Sequence, residues 1–213
     1  MATEIQFNNY VKLLGEVEDE PKFSHRVYEE SFYTFPLRVH RLSEACDIIM
    51  ITVSEHLLPA ADIRYGNRIY VEGSYRSYNN FSGVGNKLVL TVFVKLIENA
   101  VDLELYPKPN YIYLNGYICK KPSFRVTPFG REITDLLIAV NRTYNKSDYI
   151  PCIAWGHNSR YASTLDVGTN VIIEGRIQSR NYQKVLEDET ITKTAYEVSI
   201  SSIKNVADIQ ELT

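Results

Sequence analysis

The chain has 213 residues, 45% of them hydrophobic, and carries 23 Lys+Arg against 26 Asp+Glu for a formal net charge of -3. That length supports two ordinary hydrophobic cores, and the composition excludes a disordered chain; with no basic leader and no apolar run of bilayer-spanning length, the sequence reads as soluble and intracellular. Cys46, Cys119 and Cys152 are odd in number and show no C-x-x-C or Cys/His spacing, which excludes a disulfide framework and a structural zinc and leaves buried free thiols.

The first elements already contain the main signal, because they recur. Asn9, Tyr10, Leu13, Gly15, Pro21, Phe23, Val39, Arg41, Asp47 and Ile49 reappear 101 positions later as Asn110, Tyr111, Leu114, Gly116, Pro122, Phe124, Val140, Arg142, Asp148 and Ile150. One inserted residue then shifts the register, and Gly66, Glu72, Gly73, Ser77 and Asn79 return as Gly168, Glu174, Gly175, Ser179 and Asn181, 102 positions on. A period of about 100 residues is too long for a solenoid unit and matches a small whole domain, so the expected organisation is two copies of one fold, residues 1–104 and 105–213.

In the first copy, alternation predicts strands over residues 10–17, 32–42, 48–53, 68–78 and 87–97, and Pro59 argues against a helix between the third and fourth. Residues 104–110, with Pro107 and Pro109, form a stiff linker. The second copy repeats the plan over 111–119, 132–143, 149–155, 170–179 and 194–203, with a turn at Thr127-Pro128-Phe129-Gly130. A helix is expected over 157–166, where Tyr161 and Leu165 stand at i,i+4 and Gly168 is placed to stop it. Five strands with a helix between the third and fourth is the order of an OB-fold, so the fold class is all-β: two tandem five-stranded OB-fold barrels, each with a short helix between strands 3 and 4.

Catalytic signatures are missing. The chain has no H-E-x-x-H, no nucleophile triad pattern and four scattered histidines, His25, His40, His56 and His157. Gly83-Val84-Gly85-Asn86-Lys87 lacks the spacing and the Ser/Thr of a phosphate loop and reads as a hairpin turn. No enzyme, metal or cofactor is expected.

Strand parity is more informative. Val171, Ile173 and Ile177 share one face, which puts Arg176, Gln178, Arg180 and Tyr182 on the other. Ile150, Cys152 and Ala154 likewise leave Tyr149 and Trp155 outward, although Pro151 is an unusual residue inside a strand. Arg142 and Tyr144 stand at the end of the preceding strand. Flat rings interleaved with guanidinium groups suit single-stranded nucleic acid, whose bases each offer a π-face and whose backbone needs cations. The acidic balance of residues 1–105, 10 Lys+Arg against 15 Asp+Glu, contrasts with 13 against 11 in residues 106–213 and makes the second copy the basic one.

The second copy also resembles a known family. Asn110-Tyr-Ile-Tyr-Leu-Asn-Gly-Tyr-Ile up to Pro122, Arg125-Val-Thr-Pro-Phe-Gly130, Ala139-Val-Asn-Arg142, Asp148-Tyr-Ile-Pro-Cys-Ile-Ala-Trp-Gly156 and Val171-Ile-Ile-Glu-Gly-Arg-Ile-Gln-Ser-Arg180 are similar to the bacterial single-stranded DNA-binding proteins over nearly all of residues 110–204. The resemblance implies an OB-fold that wraps single-stranded DNA without strong sequence preference in replication, recombination or repair, within the bacterial cytoplasm at the nucleoid. It also implies stacking aromatics at Tyr144, Tyr149, Trp155 and Tyr182. Arg142, Arg176 and Arg180 are the expected phosphate contacts. Members assemble with four OB-folds around the DNA, so two per chain imply a homodimer.

In the first copy the matched positions are Ser43, Ile48, Ser54 and Asn80, and the aromatic set is gone; Arg41, Arg76 and Tyr78 remain as candidate contacts. That copy is expected to bind DNA weakly, by another surface, or to serve in assembly. The sequence Asp208-Ile-Gln-Glu-Leu-Thr213 follows the last predicted strand without the family's acidic tip ending in Pro-Phe, which puts tail-mediated recruitment of repair enzymes in doubt. Two alternatives stand beside this reading: an RNA ligand, and a protein-interaction module in which the outward aromatics form an oligomer contact.

Overall fold

A computed structural model describes residues 8–41, 43, 45–80, 88–100, 102–186 and 189–210, the side chains of 103, 181–186, 189–193 and 210 excepted. The glycine loop at 83–87 lies outside the described residues. The first half contains β1 (Asn9–Val17), β2 (Lys22–Val27), β3 (Glu30–His40), β4 (Cys46–Ser54), β5 (Arg68–Asn79) and β6 (Leu88–Asn99). The second repeats them as β7 (Asn110–Ile118), β8 (Ser123–Val126), β9 (Glu132–Asn141), β10 (Ser147–Trp155), β11 (Asn170–Leu186) and β12 (Glu189–Asn205).

The sequence led us to expect five strands in each half, and the structure has six. The additions, β2 and β8, hairpin onto β3 and β9, and all their residues are exposed, so they carry no alternation to read. Between the third and fourth predicted strands the halves also differ. Pro59 sits in a 3₁₀ turn, Leu58–Ala60, whereas the second half carries helix α1 (Gly156–Ser163). The last strand is followed by a further short helix, α2 (Val206–Gln210).

In each half five strands pair in a closed circuit. The order is β1-β5-β6-β4-β3 with β3 returning to β1, and β7-β11-β12-β10-β9 with β9 returning to β7; the β4–β6 and β10–β12 pairs are parallel. Closure brings backbones into close contact at Gly15 and Gly116. A Cβ on Gly15 would lie 2.5 Å from the Arg38 carbonyl oxygen, and one on Gly116 would lie 2.6 Å from that of Ala139, so only glycine fits. The alternating inward residues fill the circuits: Val11, Leu13, Phe35, Leu37, Ile49, Ile51 and Val92 in the first, Ile112, Leu114, Ile138, Ile150, Ile173 and Val198 in the second.

The halves join edge to edge through antiparallel β1 and β7. Val11 faces Ile112, its own counterpart 101 residues on, while Asn9 faces Leu114 and Leu13 faces Asn110. The contact is therefore isologous, with a pseudo-twofold axis through the Val11–Ile112 pair. Asn9 and Asn110 bracket it: the Asn9 amide donates to the Tyr75 carbonyl (2.7 Å) and accepts from the Tyr75 N–H (2.8 Å), and Asn110 does the same with Ile177 (2.8 and 2.9 Å). Each side chain takes over the ladder where backbone pairing stops.

Candidate nucleic-acid interface

On β10 the predicted parity is observed. Ile150, Cys152 and Ala154 are buried, while Tyr149 is 48% and Trp155 36% exposed. Pro151 is accommodated inside the strand opposite Leu137, and pairing of β10 with β12 is confined to Cys152 and Ile153. Trp155 closes β10 and caps α1, so its ring stands where extended chain turns into helix. Tyr144 lies in the β9–β10 turn at φ 60°, with Asn145 at 54°, and this left-handed pair throws the ring out to 92% exposure. Tyr182 lies on β11 opposite Lys193, and its side chain is outside the described residues.

The guanidinium groups are more committed than strand parity suggests. Asp47 is fully buried and accepts from Arg41 Nε (2.8 Å) and Nη2 (2.6 Å), and from the Ser179 N–H of the other half (2.6 Å). Arg176 Nη1 lies 3.8 Å from the same carboxylate. Burial pushes the Asp47 carboxyl upward, but Arg41 and Ser179 together hold it below the usual carboxylate range. The counterpart is Asp148, which accepts from the Ser77 N–H of the first half (2.7 Å) and faces Arg142 Nε at 3.3 Å without a hydrogen bond. Here burial wins, and the Asp148 carboxyl is held above its ordinary range. Tyr149 N–H donates to Ser77 Oγ (2.7 Å), tying the aromatic strand to the seam.

Arg41, Arg142 and Arg176 thus serve carboxylates at the seam, a role that facing direction alone cannot reveal. Gln178 points out of the circuit as predicted, but it is buried and its amide donates to Glu197 Oε1 (2.8 Å), which the long β11–β12 hairpin brings across it. Arg180 lies further out, half exposed, with Nε 3.3 Å from Glu197 Oε2. Arg76 is half-buried, its Cζ 4.0 Å above the Phe93 ring, and Tyr78 is exposed. Sequence reasoning missed Phe124 and Phe129, exposed rings on the β8–β9 hairpin, and the exposed cations Lys120, Lys121, Arg131 and Lys146. An aromatic in an otherwise polar hairpin was the available signal. Among the described residues no group of three His, Cys, Asp or Glu is placed to hold a metal ion, and no helix is long and apolar enough to cross a membrane.

Residues 109–206, which carry this face, match the model of the single-strand binding protein family. The second half of the chain is similar to that family. Similar proteins include single-stranded DNA-binding protein 2 of Listeria innocua (35% identical, covering 35% of this chain and 51% of that protein) and single-stranded DNA-binding protein A of Bacillus subtilis (33% identical, covering 35% and 47%). The chain spans about half the length of the relatives it matches. Across both halves, the fold is that of the single-stranded DNA-binding protein from Thermus aquaticus. A deletion mutant of that protein superposes at TM-score 0.70 with 19% identity, over 92% of this chain and 93% of that one; the wild type gives 0.68 and 18%, covering 92% of each. The likeness of the second half is therefore recognisable from sequence, while the first half follows the same fold with little sequence in common.

Proposed function

We propose that the protein binds single-stranded DNA without sequence preference, by base stacking on the outer face of β10 and its flanking turns. The observation that carries this is the pair Tyr149 and Trp155: two exposed rings on a strand whose alternate residues are sealed in the core, in the half that matches the single-strand binding family. Rings held rigidly on a strand stack bases at low entropic cost, each contributing roughly 1 to 3 kcal/mol. Tyr144 and Tyr182 extend the face, and Arg180 with the exposed lysines supplies backbone contacts. Arg41, Arg142, Arg176 and Gln178 position the face from the seam, and Arg76 and Tyr78 carry it toward the first half. The relatives' names support single-stranded DNA over RNA as ligand.

In this reading each closed circuit is an OB-fold barrel, with the boundary between residues 104 and 105, and the protein is a bacterial, cytoplasmic, non-enzymatic participant in replication, recombination or repair. Two chains assemble as a homodimer through the outer face of the joined sheet. That face presents Tyr10, Tyr111 and Tyr113 around the pseudo-twofold axis, with Tyr10 and Tyr70 both donating to Glu72 (2.6 Å each). Trp155 is the only tryptophan in the chain, so titrating its fluorescence with poly-dT reports on the face directly. Saturating quenching that weakens with salt, at a slope of about -0.7 per phosphate neutralised, is the expected result. No quenching, with no retardation in a mobility assay, would overturn it and favour the interaction-module reading.

A further inference from the structure

The first half lacks the tyrosines and tryptophan of the second, but it has a ring system of its own elsewhere on its outer surface. His25 on β2 stacks on Phe32 of β3 (centroids 5.1 Å, interplanar angle 15°), Phe32 meets Phe93 of β6 (5.4 Å), and the Arg76 guanidinium of β5 lies 4.0 Å above Phe93. Phe32 is buried but stands apart from the contiguous core cluster, and His25, Phe93 and Arg76 are not buried. On β3 the inward set is Phe35, Leu37 and Val39, and on β6 it is Val92 and Val94, so Phe32 and Phe93 have the outward parity. Phe32 is buried all the same, because His25 and Phe93 cover it, while His25 itself is exposed and Phe93 half-exposed.

Among the described residues the second half has no equivalent. Phe32 corresponds to Ile133 by the 101-residue period, and Arg76 to Gln178 by the 102-residue period. The pairing of Ser74 with Phe93 and of Arg176 with Ser199 matches Phe93 to Ser199. At these positions, and at those of Tyr144, Tyr149, Trp155 and Tyr182, one half has aromatics and the other has none.

The ladder also leads to the seam. Arg76 precedes Ser77, which bonds Asp148 and Tyr149; burial first, then the Arg142 charge, lower the pKa of its guanidinium, and the Asp148 carboxylate offsets them in part. Among the described residues the buried Arg76 Nε has no hydrogen-bond partner, while Arg142 Nε lies 3.3 Å from Asp148 Oδ2. Arg142 is thus ion-paired with Asp148, so the cation that accompanies the ladder is Arg76, whose guanidinium lies over the Phe93 ring. Acidic groups lie at the opposite end, where Glu55 accepts from the Ser31 N–H and Glu30 from Ser54 Oγ.

From this geometry we infer that single-stranded DNA leaving Tyr149 crosses the seam and continues onto the first half, its phosphate at Arg76 and its bases on the Phe93–His25 ladder. The inference rests on the function proposed above. The test uses the full chain and an oligothymidylate carrying 5-iodouracil. Photocrosslinked peptides containing His25 or Phe93, alongside those containing Tyr149 or Trp155, are expected. Phe93→Leu keeps apolar volume but removes the ring, and it should lower the number of nucleotides bound per chain and weaken binding of long oligonucleotides by about five- to 150-fold, with the Trp155 quenching amplitude kept. His25→Ala, at an exposed position, should lower the nucleotide number in the same direction and guards against misfolding of the first variant. Crosslinks confined to residues 110–204 with unchanged nucleotide number in both variants would overturn this inference alone. Absence of any Trp155 quenching in the wild type would overturn the binding reading as well.

Discussion

Replacing Asp47 by asparagine tests how the two halves are held together. The carboxylate is inaccessible and takes four hydrogen bonds, two from Arg41 and two from Ser179 through its N–H and its hydroxyl (3.1 Å). Asparagine can still accept from the Ser179 N–H, but its amide nitrogen then faces the Arg41 donors, and Arg41 and Arg176 lose their counter-charge. Breaking a buried pair costs about 3 to 5 kcal/mol, and because about a quarter of the Arg41 side chain is exposed, solvent recovers part of this. A loss of about 2 to 4 kcal/mol is expected in urea unfolding, equivalent to a fall in Tm of about 4 to 16 °C for a chain of this size. Asp148→Asn provides the contrast. Burial already disfavours the Asp148 charge and it accepts a single hydrogen bond, so neutralising it should change stability by less than about 1 kcal/mol. The pH dependence has opposite signs. The Asp47 carboxyl is held low, so its contribution is present above the unfolded carboxylate pKa and is lost as pH falls through its folded value; the gap between wild type and Asp47→Asn should close in acid. The Asp148 carboxyl is held high, so stability is fully present below the unfolded pKa and declines as pH rises through the folded one, and Asp148→Asn should remove that decline. Equal losses for the two variants, or a larger loss for Asp148→Asn, would refute this account of the seam.

Three further outcomes are expected. Trp155→Ala should weaken oligonucleotide binding by about five- to 150-fold with a nearly unchanged melting temperature, and parallel losses of both would assign the ring to packing instead. Gly116→Ala should destabilise the protein by about 1 to 3 kcal/mol or more in urea, since the added methyl meets the Ala139 carbonyl oxygen and the Ile138 side chain; an unperturbed midpoint would contradict closure at this point. A thiol reagent should label Cys46, which is exposed, well before Cys152, whose thiol is buried and whose ionisation burial pushes up; mass spectrometry of the early product reads the order.

The repeat, the closed-circuit strands and the inward sets were legible because buried strands alternate and the two copies report the same pattern twice. Tyr149 and Trp155 followed from that alternation. β2 and β8 were not legible, since a strand exposed on both faces has no period to detect. Arg41 and Arg142 pair with Asp47 and Asp148 across one hairpin of their own half, but the partner of Arg176 was hidden for a different reason. Parity tells on which side of a strand a cation lies, whereas Asp47 and Ser179 meet only when the halves dock, 132 residues apart in sequence. Gln178 shows the same limit, because outward from the strand is not exposed when a neighbouring hairpin brings Glu197 across. The ladder joins His25 and Phe32 of the β2–β3 hairpin to Phe93 of the remote β6, and no short window along the chain contains all three.

The isologous β1–β7 contact has a kinetic consequence. When two separate molecules pair in this way, the contact dissolves on dilution, and each encounter must be repeated at a rate set by concentration. Here residues 100–110 span the joint, so one half meets the other at an effective concentration in the millimolar range for a short connection, however scarce the protein is. Docking becomes a first-order step, and the seam at Asp47 and Asp148 survives at copy numbers where an untethered pair would fall apart. The same covalent link frees the two halves from identity, so one face of the molecule can hold tyrosine and tryptophan while the other holds histidine and phenylalanine.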